Sequence, residues 1–178
     1  ILQDKLYIEQ LNEAISLSEK TETGKYAPFF SLSNIKGEKI TRSSEDFKKK
    51  NLLINFWASW GDSISNHQSN TELKEIYQKY KKNKHIAMLG ISLDMDKQEW
   101  QDAIKRDTLN WEQVCDFGGL NSEVAKQYAI KQVPSNILLS ADGKILAKNL
   151  KGEQLKKKIE EVVTAAEEKE KQDNKKKK

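Results

Sequence analysis

Apolar residues in this chain come in two spacings. Asn51 to Ser59 (NLLINFWAS) and Ile86 to Leu93 (IAMLGISL) are nearly continuous apolar runs of strand length, the pattern of strands buried on both faces. Between them Leu73, Ile76, Tyr77 and Tyr80 fall at i, i+3, i+4 and i+7, which predicts a helix with one apolar face. Trp100, Ala103 and Ile104 predict a second amphipathic helix, and Trp111 to Cys115 a third strand. Val124, Ala125 and Tyr128 predict a short helix ending near Ala129. Asn136 to Ser140 and Lys144 to Lys148 flank Ala141-Asp142-Gly143, a hairpin signal because glycine tolerates positive φ. Leu155, Ile159, Val162, Val163 and Ala166 line one face of a last helix.

Upstream, Leu2, Leu6, Leu11, Ala14 and Ile15 predict a helix over the first 20 residues, followed by a linker from Thr21 to Lys25. Phe29 to Ser33 and Lys39 to Thr41 form a second hairpin pattern around Gly37. Buried strands alternating with helices require a sheet covered on both faces. The predicted fold class is therefore α/β, a central mixed β-sheet flanked by helices with an N-terminal β-hairpin. The expected divisions are 1–22 as helix and linker, 23–166 as the folded domain, and 167–178 as a Lys-rich disordered tail.

Composition narrows the function classes. The longest apolar-rich run is Leu52 to Ala58, far short of the roughly 18 residues of a membrane-spanning helix, so no membrane-spanning segment is expected in this chain. The 178 residues hold 31 basic and 27 acidic side chains, a net charge of +4. The only arginines are Arg42 and Arg106, and arginine is the residue that reads phosphates and guanines bidentately, so no nucleic-acid partner is expected. The stretch from Glu167 contributes six lysines against four acids, hence +2 of the +4. Cys115 is the only cysteine, which excludes an intramolecular disulfide and a dithiol pair. The chain starts at Ile1, so any targeting segment would lie upstream of it.

Two places attract chemistry. The turn Trp60-Gly61-Asp62-Ser63-Ile64 follows the first buried strand, and ligands in open α/β sheets bind beyond the carboxyl ends of strands. Val133-Pro134 directly enters a strand, where proline cannot donate to the ladder, and a cis bond is expected there. Cys115 reads as a small buried hydrophobe, with a displaced reactive thiol as the alternative. His67 and His85 read as surface residues, and Asp94 with Asp96 as a solvated strand end. No metal site and no cofactor is expected, since several converging ligands are needed and none are grouped.

Thr23-Gly24-Lys25-Tyr26-Ala27-Pro28-Phe29-Phe30, NFWASW at 55–60, ISLD at 91–94 and QVPSNILLSADGKILAKNLKG at 132–152 occur in order. Together they resemble the thioredoxin-like proteins of the TlpA/ResA type, envelope thiol-disulfide oxidoreductases related to the AhpC/TSA grouping. The resemblance spans about 23–163. It implies a thioredoxin-like fold, a helix–strand insertion at about 97–116, and a cis-proline loop facing the active turn. It also implies a periplasmic or cell-envelope location and a polypeptide or envelope-protein partner.

In that family a Cys-x-x-Cys motif follows the NFWASW-like strand. Here its two positions hold Gly61 and Ile64, and the acidic and proline slots that follow hold His67 and Ser69. Dithiol exchange needs one thiolate to attack and a second thiol to resolve the mixed disulfide, and neither is available at the turn. Asp62 or Ser63 is expected to cap the following helix instead. The reading is a redox-inactive peptide-binding module with no catalytic residue, using Trp60, Gly61, Asp62, Ser63, Val133 and Pro134. The alternative is a thiol or peroxide oxidoreductase acting through Cys115 alone.

Overall fold

The computed structural model describes residues 2–61 and 63–176. Its elements are α1 (Leu2–Lys20), β1 (Ser31–Asn34), β2 (Lys39–Thr41), β3 (Asn51–Trp57), α2 (Ser63–Tyr80), β4 (Ile86–Ser92) and α3 (Lys97–Arg106). They continue with β5 (Glu112–Cys115), α4 (Glu123–Gln127), β6 (Ser135–Leu139), β7 (Ile145–Lys148) and α5 (Gly152–Lys176). The strands make one sheet in the order β2-β1-β5-β4-β3-β6-β7. β3, β4 and β5 run parallel at its centre, while both flanks are antiparallel, so the sheet is mixed as expected.

Side-chain alternation along β3 divides the core in two. Leu52, Ile54 and Phe56 join Leu89, Ile91, Val114 and Ile137 on one face, where Val124, Ala125 and Tyr128 of the α4 region cover them. Leu53 and Trp57 join Met88, Cys115 and Leu138 on the other, beneath Leu73 and Ile76 of α2, Trp100 of α3 and Leu155 and Ile159 of α5. Helix α3 and strand β5 form the expected insertion, with β5 parallel to β4. At the β6–β7 hairpin Gly143 has φ of 95°, the positive value the sequence suggested.

The linker after α1 is pinned rather than free. Gly24 N–H donates to the Ile145 carbonyl, Ile145 N–H to the Lys25 carbonyl and Ala27 N–H to the Gly143 carbonyl, so it runs along the outer edge of β7. Strand β1 begins at Ser31, two residues later than the pattern suggested, leaving Phe29 70% exposed ahead of it.

The expected tail is corrected in part. Helix α5 continues through Lys176, so 167–176 are helical rather than disordered, and Lys177 and Lys178 lie outside the described residues. Part of this stretch meets the segment before β4, contacts that the local sequence does not reveal. The Glu170 carboxylate lies 2.7 Å from Lys84 Nζ and 3.3 Å from His85 Nε2, and Asn83 donates to Glu167 at 3.3 Å. His85 is consequently half-buried against α5 and not a free surface residue. Among the described residues no helix is long and apolar enough to cross a membrane.

Candidate functional site

The turn after β3 is held by a buried carboxylate. Asp94 has no exposed surface, which corrects its expected place at a solvated strand end. Its Oδ1 accepts from the Ser59 amide at 3.0 Å and the Ser59 hydroxyl at 2.6 Å, and its Oδ2 accepts from the Ser92 hydroxyl at 2.6 Å. The Asp94 amide in turn donates to Ser92 Oγ at 2.9 Å. A buried carboxylate is tolerated when hydrogen bonds satisfy its lone pairs, and here three donors do so. The carboxyl end of β4 thereby sets the path of Ser59 as it leaves β3. Asp96 does something different: it caps α3 by accepting from the Glu99 amide.

Beyond Ser59 the chain turns outward. Gly61 N–H donates to the Ala58 carbonyl at 3.3 Å, and Trp60 projects with 54% of its surface exposed. Ser63 opens α2, which continues unbroken to Tyr80. Asp62, expected as a cap and as part of the binding turn, lies outside the described residues, and for Ser63, Ile64 and His67 only the helical backbone is described.

The Val133–Pro134 peptide is cis. Strand β6 pairs with β3 through Phe56 and Ser135, so one further step in register sets Pro134 beside Trp57 at the root of the turn. The two segments singled out in the sequence are thus brought to the same end of the sheet. Val133 is half-buried, and its backbone N–H and carbonyl take no partner among the described residues. Behind Pro134 lies a cavity of about 240 Å³ lined by Gln68, Ser69, Glu72, Asn136 and Leu150 among others. Burial raises the Glu72 carboxyl above its ordinary value; the Gly152 amide and Lys156 act in the opposite direction, and Glu75 and Glu153 add to the rise.

Cys115 sits in the core beneath α2 and α3 with 2% of its surface exposed. Burial pushes its thiol up to about 11, against the smaller effects of the hydrogen bond from the Phe117 amide and of the neighbouring Ser92 hydroxyl. Reactive thiols combine accessibility with a lowered pKa, and Cys115 has neither. Sequence reasoning missed Asp94 and also Gln113, which is 5% exposed and accepts from the Trp57 indole at 3.0 Å. The only available signal for either was a polar residue in or beside an apolar strand.

Comparison with known proteins agrees with this geometry. A family model described as thioredoxin-like matches residues 48–145. The thiol-disulfide oxidoreductase ResA of Bacillus cereus (strain ATCC 10987 / NRS 248) is 32% identical over 146 residues, 82% of this chain and 79% of that protein. Among solved structures, a C-terminal domain ascribed to a thiol-disulfide oxidoreductase of Bacteroides thetaiotaomicron is 78% identical with a TM-score of 0.81. The match covers 82% of this chain and 99% of that one. A thiol-disulfide oxidoreductase of Bacteroides fragilis NCTC 9343 is 59% identical with a TM-score of 0.75, covering 78% of this chain and 99% of that one.

Proposed function

Because the chain belongs to the thioredoxin-like family, with thiol-disulfide oxidoreductases as its relatives, we propose that it is a redox-silent member that binds polypeptide in the cell envelope. The observation that carries this reading is an exposed Trp60 and a cis Val133–Pro134 bond at one end of the sheet, together with missing sulfur. Gly61 and Ile64 occupy the motif positions, and the one cysteine is buried in the core. A glycine has no side chain to attack a disulfide, and an isoleucine has nothing with which to resolve one. The groove elements serve binding instead. Trp60 offers an exposed aromatic face, and the unpaired backbone of Val133 offers a donor and an acceptor to an extended chain, as in strand addition. In this reading the Trp60–Gly61 part of the turn and the Val133–Pro134 loop are the two sides of that groove. The envelope location is inferred from the family resemblance.

The alternative chemistry through Cys115 would need the thiol to reach solvent as a thiolate, and its burial counts against it.

The experiment is an insulin-reduction assay run beside a peptide titration. The native chain is expected to give no catalysed dithiol turnover, and Gly61→Cys/Ile64→Cys to acquire it. Repeated turnover by the native chain would end the redox-silent reading. Peptide binding unaffected by Trp60→Ala would end the groove assignment.

A further inference from the structure

The end of the sheet opposite Trp60 and Pro134 has a cavity of its own, of about 290 Å³. It lies where β4 and β5 begin. Ile86, Met88 and Trp111 line it from the strands, and Ile76, Tyr77 and Tyr80 line it from the C-terminal part of α2. The Tyr77 and Trp111 rings stand 5.7 Å apart at an interplanar angle of 48°. This volume is at the small end of the range of ligand sites, and its aromatic walls suit one further ring, which gains tilted or offset contacts there.

Four charged residues line the same cavity. Asp46 and Lys50 come from the segment before β3, Lys81 follows α2, and Glu112 opens β5. Their neighbours are paired: Lys48 with Glu45 at 3.5 Å, Lys84 with Glu170 at 2.7 Å, and Lys79, beside the Tyr80 ring, with Glu160 at 3.9 Å. Lys49 and Lys82 are exposed and stand outside the lining. The four lining residues form no ion pair among the described residues, and Lys81 Nζ donates only to the neutral Gln78 Oε1, at 2.7 Å. Two acids and two bases give the lining no net charge. A bare cation or a bare anion meets repulsion there as well as attraction, whereas a molecule carrying both signs meets an opposite charge with each.

We infer that this cavity is a binding site for a small zwitterion with one apolar ring, the class to which free aromatic amino acids belong. The ring enters among Tyr77, Tyr80 and Trp111. The lysines Lys50 and Lys81 serve its carboxylate, and Asp46 and Glu112 serve its ammonium group. The site shares no residue with the Trp60 and Val133–Pro134 groove and stands whether or not that groove binds polypeptide.

Isotope-labelled native chain is titrated with phenylalanine and with three molecules that each lack one of its features. Phenethylamine has no carboxylate, phenylpropionate no ammonium group, and alanine no ring. Phenylalanine is expected to bind at least about tenfold more tightly than each of the three, because each forfeits a charge-assisted contact or the buried ring. The signals expected to shift are the amides of residues 86–88 and the indole N–H of Trp111, which is buried and meets no acceptor among the described residues. Lys50→Gln/Glu112→Gln is expected to weaken phenylalanine by at least about fivefold. Both side chains are partly exposed, and matching amide spectra confirm that the variant is folded. No shift with phenylalanine at its solubility limit overturns the inference, as does any of the three bound as tightly as phenylalanine. Native affinity in the Lys50/Glu112 variant overturns it too. So does a shift pattern centred on Trp60, which would give the ligand to the other end of the sheet.

Discussion

The indole N–H of Trp57 on β3 donates to Gln113 Oε1 on β5 at 3.0 Å, and the bond passes over β4 where the intervening residue is Gly90. A Cβ at Gly90 would stand 1.9 Å from that oxygen. The buried indole N–H thus reaches its acceptor only because the strand between them has no side chain there. Gly90→Ala is expected to cost about 1–3 kcal/mol, as overpacking does, and to lower Tm by about 2–4 °C per kcal/mol in a chain of this size. Thermal melts of Gly90→Ala, Gln113→Ala and the double variant test the cause. Removing the clashing amide makes the two losses non-additive; strictly additive losses would refute it.

Asp94 gives a second test. Asp94→Ala removes the acceptor of three hydrogen bonds, and charge-assisted bonds contribute about 1.5–3 kcal/mol each before compensation. The expected result is a loss of at least about 2 kcal/mol with faster amide exchange at Ser59 to Gly61. Asp94→Asn keeps the shape and most of the acceptor pattern and is expected to cost less. Unchanged exchange in the alanine variant would show that the turn holds its path by other means.

Cys115 should be chemically quiet. With its thiol raised to about 11, the thiolate is scarce at pH 7.5, and burial restricts access even then. An aromatic disulfide reagent is expected to label the native chain no faster than global unfolding allows, and fully within seconds in denaturant. Rapid labelling of the folded chain would reopen chemistry at this position.

Glu72 links stability to pH. Its carboxyl is raised in the fold, chiefly by burial, so the folded state holds the proton more firmly than the unfolded one. The stabilising contribution of the protonated form is complete below the unfolded value and is lost as pH rises through the folded value. Glu72→Gln is therefore expected to melt higher than the native chain near pH 7, with the advantage shrinking toward pH 3. Melting curves at both pH values check the sign, and a Glu72→Gln variant that melts lower at pH 7 would contradict it.

The parts of the fold legible in the sequence were those fixed by local pattern. NLLINFW and IAMLGIS announce buried central strands because seven consecutive positions contact protein on both faces. Trp60 and Pro134 were legible because a strand end and an X-Pro bond are places with few structural choices. Asp94 was not, because its burial depends on Ser59, 35 residues away, arriving with two donors. The last part of α5 was hidden for the same reason: Glu167 and Glu170 look like solvated charge until Asn83, Lys84 and His85 are placed beside them. Polar residues declare their partners only once the chain has folded back.

The Ser59–Asp94–Ser92 linkage has a consequence for the surroundings in which the protein works. A turn shaped by hydroxyls and a carboxylate keeps one contour whether glutathione is plentiful or absent, whereas a cysteine pair would take two. On the proposed binding reading, its hold on a polypeptide would be constant across compartments of different electron supply, with release governed by competition or concentration.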